Sequence, residues 1–263
     1  MKRCYMYSKS SIFDKLTLPL LLVGGVLAIT AFILTFTVAP LVSGEAVAGG
    51  FLEINGQYVT NKLLLSQKIF YFHMPVAVIS MVALLFTAIY SVAFLKTRNS
   101  KFDMRARLAT EIGLVFVLMT MVSGELWERY EWGVWWTWEP RLTTYFILML
   151  LVFGYFILRN AVSDPERRAV YSSVFGIIMF IDVPISFMIT RLIPSSVHPV
   201  IFRTDSGLSP PMLIPLLMAL VGFACIAFAL YRRRLRAQEL RERTDALKTE
   251  LDELAETSSL LKG

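Results

Sequence analysis

Cysteine and histidine, two residue types that commonly carry metal and redox chemistry, are scarce: this chain of 263 residues has two of each. Cys4 lies in the N-terminal tail and Cys225 in the last apolar run, so a disulfide between them is not expected. No Cys-x-x-Cys-His sequence is present, which excludes covalent haem attachment to this chain. The lack of a His-x-x-x-His pair, and of cysteines beside the histidines, argues against a zinc site.

Charge is also scarce. Only 17% of the residues are charged and 56% are hydrophobic, whereas soluble domains carry roughly 25% charged residues. The basic balance, a net charge of +6 and a pI near 9.4, does not indicate nucleic-acid binding, because the basic residues flank apolar runs. The first apolar run is long and has no convincing cleavage site, so we expect it to stay as a helix and not to act as a cleavable signal peptide.

The apolar runs predict an all-α membrane protein with six transmembrane helices. The predicted spans are Leu18–Ala39, Ile69–Leu95, Ala106–Leu126, Leu142–Leu158, Ala169–Ile189 and Met212–Tyr231. This divides the chain into an N-terminal tail (1–17), a membrane domain (18–231) and a C-terminal tail (232–263). Most lysines and arginines lie in the two tails and in the second and fourth loops. The positive-inside rule therefore places both termini in the cytoplasm.

The C-terminal tail predicts a cytoplasmic helix. Leucines recur every seven residues, and Glu239 and Arg243 form a favourable i,i+4 pair. The leucines are Leu240, Leu247, Leu254 and Leu261, with Leu251 near the complementary position. A short coiled coil with a partner helix and an extended solvated helix are both compatible with this pattern.

All five tryptophans fall between Trp127 and Trp138, inside the segment Ser123–Thr144. An aromatic belt at a membrane surface would distribute tryptophan over many helix ends, whereas here all five lie in one segment. The topology places the segment outside the membrane, interleaved with charged residues. It predicts an outward-facing platform that holds a flat apolar ligand or seals against a partner. The tryptophans are Trp127, Trp132, Trp135, Trp136 and Trp138.

The two histidines are predicted to lie on the same outer side, His73 near the end of the second span and His198 in the loop before the sixth. Neutral imidazole is a suitable axial ligand for haem iron, and two such ligands close both faces of the macrocycle. The alternative for each histidine is an interfacial side chain bonded to a loop carbonyl.

Other charged residues have open roles at this stage. Haem propionates could pair with any of four outer arginines, which could equally be headgroup anchors; these are Arg129, Arg141, Arg191 and Arg203. Glu111 and Asp182 are carboxylates within apolar runs. Glu111 could reach water or nearby arginines. Asp182 could bond to backbone groups freed by Pro184 or belong to a proton or ligand path.

The run Trp132-Gly-Val-Trp-Trp-Thr-Trp-Glu-Pro-Arg-Leu-Thr143 strongly resembles the tryptophan-rich "WWD" signature of haem-handling proteins in cytochrome c biogenesis. With six spans and one outer histidine on each side of the motif, the chain looks like the CcmC family over Leu18–Tyr231. Glu139 stands where the motif usually has aspartate, and Pro140 follows it. The tryptophans that many relatives carry before the second histidine are missing.

The resemblance implies a protein of the inner membrane that holds haem b at its periplasmic face and passes it to the haem chaperone CcmE. CcmD and the CcmA/CcmB ABC complex would be its partners. His73 and His198 would be the axial ligands of the haem iron. The platform would comprise Trp127, Trp132, Gly133, Trp135, Trp136, Trp138, Glu139 and Arg141. Such a protein is not an enzyme.

Three rival functions differ in what they require. A CcsA-type cytochrome c haem lyase usually has more spans and further histidines. A transporter of haem or another amphiphile needs a polar path on the cytoplasmic half, for which only Glu111 and Asp182 are candidates. A quinone-linked electron-transfer subunit usually has histidines deep within its spans.

Overall fold

The computed structural model describes residues 12–39, 45–47, 51–54, 57–131, 133–193 and 210–260. Six helices in this part of the chain are long and apolar enough to cross a membrane, which confirms the predicted fold class. They are α1 (Ile12–Thr37), α2 (Asn61–Thr97), α3 (Ser100–Glu131), α4 (Pro140–Ala161), α5 (Pro165–Leu192) and α6 (Pro210–Leu260). The prolines at 75, 184 and 215 lie inside helices that continue through them.

The connection between α1 and α2 contains a small antiparallel sheet, which the sequence analysis did not predict. Its strands β1 (Glu45–Val47), β2 (Phe51–Ile54) and β3 (Gln57–Thr60) pair in sequence order. Glu45 pairs with Glu53, and Ile54 pairs with Gln57. β3 runs directly into the first residue of α2.

Helix α2 is the centre of the bundle, since it packs against α1, α3, α5 and α6. A buried apolar cluster joins α2, α3, α4 and α5 around Leu84, Val117, Leu148 and Met179. Near the other helix ends, Tyr71 and Met74 of α2 contact the first turns of α6. These contacts hold α2 and α3 at a fixed register, on which the candidate site depends.

Buried polar side chains also join the helices. The Ser80 and Tyr145 hydroxyls are 2.8 Å apart, and those of Thr87 and Thr110 are 3.1 Å apart. Lys68 donates from its Nζ atom to the carbonyls of Thr35 and Ala39, at 2.8 and 2.6 Å. The lysine thereby satisfies carbonyls at the C-terminal end of α1, which have no partner within that helix.

Two glycines allow α1 and α6 to approach closely. A Cβ atom on Gly24 would lie 2.8 Å from the Gly222 carbonyl oxygen, and one on Gly222 would lie 2.9 Å from the Ala28 nitrogen. Small residues commonly permit such backbone contact between membrane helices.

Helix α6 continues without a break from the membrane region into the C-terminal tail. The predicted boundary between 231 and 232 therefore lies inside one helix of 51 residues. Leu240, Leu247, Leu251 and Leu254 are exposed on this extension. A coiled-coil partner for them remains a prediction.

The two carboxylates within apolar runs differ in their surroundings. Glu111 accepts two hydrogen bonds from Arg234 of α6, at 2.6 and 2.9 Å, and Arg107 is 3.9 Å away. Its contacts are therefore those of a structural ion pair, with a partner that the sequence analysis did not identify. The Oδ2 atom of Asp182 is buried and has no hydrogen-bond partner in the described part of the chain. A bond to backbone near Pro184, one of the two roles considered from the sequence, is not observed for this oxygen.

Candidate functional site

The imidazole of His73, a residue of α2, packs against helix α3 at Ser123. Its Nδ1 atom is 2.9 Å from the Ser123 hydroxyl. Ser123 lies one turn before Trp127 in α3. Ser123 in turn donates to the carbonyl oxygen of Met119 at 2.8 Å, with Thr120 at 3.1 Å as a second acceptor. The histidine is therefore held by a side chain that is itself fixed to its own helix.

This arrangement favours one tautomer of His73. A serine hydroxyl has a single proton, and the Met119 and Thr120 carbonyls are placed to accept it. With the proton there, Ser123 accepts a hydrogen bond from Nδ1–H of His73, and Nε2 of the neutral ring carries the lone pair. A neutral imidazole whose Nδ1–H is bound in this way is the usual form of a histidine that coordinates a metal through Nε2.

Gly124 provides the space for this contact. A Cβ atom at this position would lie 3.2 Å from Cε1 of His73 and 3.7 Å from Nδ1. The first distance is shorter than the ordinary separation of carbon atoms, about 3.5–4.0 Å. A residue without a side chain therefore lets the imidazole lie directly against α3.

Helix α3 ends at Glu131, and the tryptophan-rich connection to α4 follows. Gly133 has φ +75°, a left-handed conformation that costs residues with a side chain about 1–2 kcal/mol. Arg129 donates to the Gly133 carbonyl oxygen, and its guanidinium lies over the Trp135 ring, 5.5 Å from the centroid. The turn is thus held by the last residues of α3.

The indoles of this connection differ in exposure. Trp135 is 58% exposed and Trp138 is 73% exposed. Trp136 is partly buried and makes edge-on contacts with Trp138 and Phe146, with centroid distances of 5.5 Å in both cases. Two large aromatic side chains therefore remain uncovered beside a packed aromatic group. Surface of this kind is available to a flat apolar ligand.

Helix α4 begins immediately after the motif. Glu139 is the N-cap and accepts a hydrogen bond from the Leu142 backbone N–H at 2.9 Å, while Pro140 occupies the first helical position. A carboxylate cap followed by proline is a favourable helix start. Glu139, the acidic residue of the motif, therefore serves as the cap of α4 in this chain.

Arg141, in the first turn of α4, carries a partly buried positive charge. Its guanidinium interacts electrostatically with Glu139, Arg191 and Tyr145. It also interacts electrostatically with His73. Two guanidinium groups thus approach each other with Glu139 beside them, in the region that also contains His73. Such a cluster favours a bound anion, because a second negative charge would reduce the repulsion between the arginines.

A group of buried polar atoms joins the end of α3 to the tryptophan-rich connection. Both carboxylate oxygens of Glu128 lack a well-aligned hydrogen-bond partner within the described residues, as do Nε1 of Trp136 and Oγ1 of Thr137. Glu128 is only 1% exposed, and the backbone and side chain of Thr137 lie beside its carboxylate. Buried polar groups are normally paired, so this part of the connection has hydrogen-bonding capacity for water or a ligand.

Comparison with known proteins adds an independent observation. The family model for CcmC, described as Heme exporter protein C, matches residues 6–250. The chain belongs to the CcmC family. A Heme exporter protein C from Bradyrhizobium diazoefficiens is 34% identical over 185 residues, which cover 68% of this chain and 69% of the relative. That of Escherichia coli is 26% identical over 171 residues, 65% and 69% of the two chains.

A mitochondrial relative from Marchantia polymorpha, named as a cytochrome c biosynthesis ccmC-like protein, is 34% identical over 161 residues. The match covers 59% of this chain and 66% of the relative. The CcmC family thus includes both bacterial and mitochondrial proteins.

For this CcmC-family chain, the structure brings some of the predicted site residues together. His73 lies against α3, on which Trp127 is one turn away, and Arg141 lies within electrostatic range of His73. Trp132, His198 and Arg203 lie outside the described residues. The sequence analysis did not assign roles to Ser123, Gly124 or Tyr145. For Ser123 and Gly124, the sequence offered one indication, a pair of small residues one turn before the first tryptophan.

Proposed function

We propose that this CcmC-family protein holds haem b at the outer end of the bundle and delivers it to the haem chaperone CcmE. In this proposal His73 and His198 are the axial ligands of the haem iron. Trp127, Trp132, Trp135, Trp136 and Trp138 form the platform, together with Gly133, Glu139 and Arg141. CcmD and the CcmA/CcmB complex are its partners. The protein lies in the inner membrane with the haem site on the periplasmic face.

The single observation that carries the proposal is the hydrogen bond between His73 and Ser123. It supports a neutral imidazole with an available Nε2 lone pair, which is the chemical form that haem iron requires. The alternative role considered from the sequence was a histidine bonded to a loop carbonyl. Here the partners of the ring, the Ser123 hydroxyl and the Thr120 backbone, both belong to the neighbouring helix α3.

The exposed indoles support binding of the macrocycle. Trp135 and Trp138 leave more than half of their surface uncovered, and stacking on a porphyrin would remove that apolar surface from water. Because these side chains lie in a connection between helices and are not enclosed in the bundle, the haem would remain reachable. Iron coordination would fix its position, and an open platform would permit its surrender to the chaperone.

The arginines can now be ranked as propionate partners. Arg129 is engaged with Gly133 and the Trp135 ring. Arg141 and Arg191 lie close to one another, and the charge of Arg141 reaches His73. Arg191 also lies over the Phe187 ring, 5.3 Å from the centroid. We therefore assign propionate binding first to Arg141, whose repulsion with Arg191 a carboxylate would relieve.

The test is the absorption spectrum of the full-length protein, purified in detergent after co-expression with CcmE. We expect bound haem with a six-coordinate spectrum, and loss or conversion of that spectrum in His73→Ala and in His198→Ala. Thr97→Ala, at the opposite end of α2, is the matched control and should retain the wild-type spectrum. A preparation that binds no added haem would refute the proposal.

A separate experiment tests whether the protein transfers haem without catalysing its covalent attachment. Mixing haem-loaded protein with CcmE should move haem to the chaperone, and mixing it with an apocytochrome c alone should form no thioether-linked haem. Covalent product in the second reaction would indicate the lyase function instead.

A further inference from the structure

A cavity of about 470 Å³ lies at the opposite end of the bundle from the tryptophans. It is open to one side and is lined by the end of α2, the start of α3, the end of α4, the start of α5 and the extension of α6. This is within the usual volume range of small-ligand sites, about 300–1,000 Å³. Nothing in the proposed haem site uses it.

The polar lining consists mainly of four arginines from different elements, with fewer carboxylates. Arg159 of α4 is clamped by Asp103 through two hydrogen bonds of 2.6 and 2.9 Å. Arg107 of α3 donates to Gln238 of α6 at 2.8 Å. These two guanidinium groups are therefore held in place by their neighbours.

The other two arginines, Arg98 and Arg168, have no ion-pair partner in the described part of the chain. Arg98 forms the turn between α2 and α3 with φ +55°, a conformation that disfavours a residue with a side chain. Its guanidinium lies 6.0 Å from the Phe94 ring centroid. Arg168 is partly buried in the second turn of α5. Two positively charged side chains therefore line the cavity without a direct ion-pair partner.

None of the three carboxylates of the lining forms an ion pair with Arg98 or Arg168 in the described part of the chain. Asp103 is bound by Arg159, and Glu242 accepts a hydrogen bond from Gln238 at 3.1 Å. Glu166 lies exposed in the first turn of α5, where the helix dipole favours a negative charge. The four arginines still outnumber the three carboxylates. The lining also has an apolar side made by Phe94, Met104 and Ala169.

We propose that this cavity binds a phosphate group through Arg98 and Arg168. The molecule that carries the phosphate has no positive charge of its own. Guanidinium matches the geometry of phosphate oxygens, and basic pockets between membrane helices at the positively charged side are typical sites for anionic lipid headgroups. The phosphate can come from such a headgroup in the adjacent leaflet or from a soluble phosphate compound. The apolar side of the cavity suits the glycerol end of a lipid.

The experiment uses the full-length protein in neutral detergent. One arm adds phosphatidylglycerol or, for comparison, phosphatidylcholine, and measures retained lipid by native mass spectrometry and the shift in melting temperature. The other arm adds inorganic phosphate, with chloride at equal ionic strength. The test variant is Arg98→Gln/Arg168→Gln. The matched control is Lys96→Gln/Arg167→Gln, which removes two neighbouring, exposed charges that do not line the cavity.

We expect phosphatidylglycerol to bind more tightly than phosphatidylcholine, and the test variant to lose at least about tenfold in that affinity. The control variant should bind as wild type does. A response to inorganic phosphate alone would support the same site with a soluble ligand as its source. Equal loss in both double variants would overturn the proposal, because the effect would then be one of net charge. So would the absence of any response to either probe.

If the glutamine variant does not fold, Arg98→Lys/Arg168→Lys replaces it. Lysine keeps the charge and loses the paired donors, so binding should be weakened but retained. Unchanged binding in this variant would contradict a bidentate contact.

Discussion

Substituting Gly124 by alanine should weaken haem binding without destabilising the protein. The added Cβ would lie 3.2 Å from Cε1 of His73, so the imidazole must move by about 0.3–0.8 Å to reach ordinary contact distance. That movement distorts the 2.9 Å hydrogen bond to Ser123. A hydrogen bond contributes about 0.5–1.5 kcal/mol net, which corresponds to a loss of roughly two- to tenfold in haem affinity.

The stability of helix α3 should change in the opposite direction. Alanine is favoured over glycine in helices by up to about 1 kcal/mol, so the melting temperature of the haem-free variant should be equal to or above that of the wild type. This separation distinguishes a local effect on His73 from general damage.

The assay is haem titration followed by absorbance, alongside thermal unfolding in the same detergent. Gly25→Ala is the matched control, because a Cβ atom there would have no neighbour within 4 Å. If Gly124→Ala binds haem with the same affinity and spectrum as Gly25→Ala, the contact between His73 and α3 does not position the ligand. The reasoning from this contact would then be refuted.

Three further changes test other contacts. Gly133→Ala forces a side chain into the left-handed conformation and should cost about 1–2 kcal/mol in the tryptophan connection, seen as altered tryptophan fluorescence and weaker haem binding. Gly222→Ala places a Cβ atom 2.9 Å from backbone of α1 and should lower the free energy of unfolding by about 1–3 kcal/mol, measured against Gly25→Ala. Asp103→Asn removes the partner of Arg159, whose side chain is 9% exposed. A fully buried pair would cost ~3–5 kcal/mol to break, and since this one retains some water contact we expect roughly 2 kcal/mol in thermal unfolding.

The six helices could be predicted because each is a long apolar run flanked by charge or proline, and the hydrocarbon core of a membrane demands such runs. The small sheet between α1 and α2 was overlooked, although Asn55-Gly56 separates β2 from β3 and this dipeptide is typical of two-residue hairpins. The length of α6 was also missed. Hydropathy detects where a helix leaves the apolar region, and it does not detect whether the helix continues.

The site was predictable in its residue types and less so in its contacts. His73 stands out because the chain has only two histidines, and the tryptophans stand out because all five lie in one segment. Ser123 and Gly124 do not, since their importance comes from the register of α3 against α2, which side-chain packing across both helices determines. The pairing of Glu111 with Arg234 likewise joins positions that are distant in sequence, and charge patterning along one helix could not identify the partner.

The uninterrupted length of α6 joins the C-terminal extension to the opposite end of the bundle. At 1.5 Å per residue the helix is about 77 Å long. It is held to α1 at Gly222 and to α3 at Arg234 and Gln238. Only the last part, from Gln238 to Leu260, extends beyond these contacts, over about 33 Å. The Pro210 end packs on Tyr71 and Met74, which flank His73 in α2. A partner that binds the leucine-bearing extension would therefore hold the same rigid element that packs beside His73.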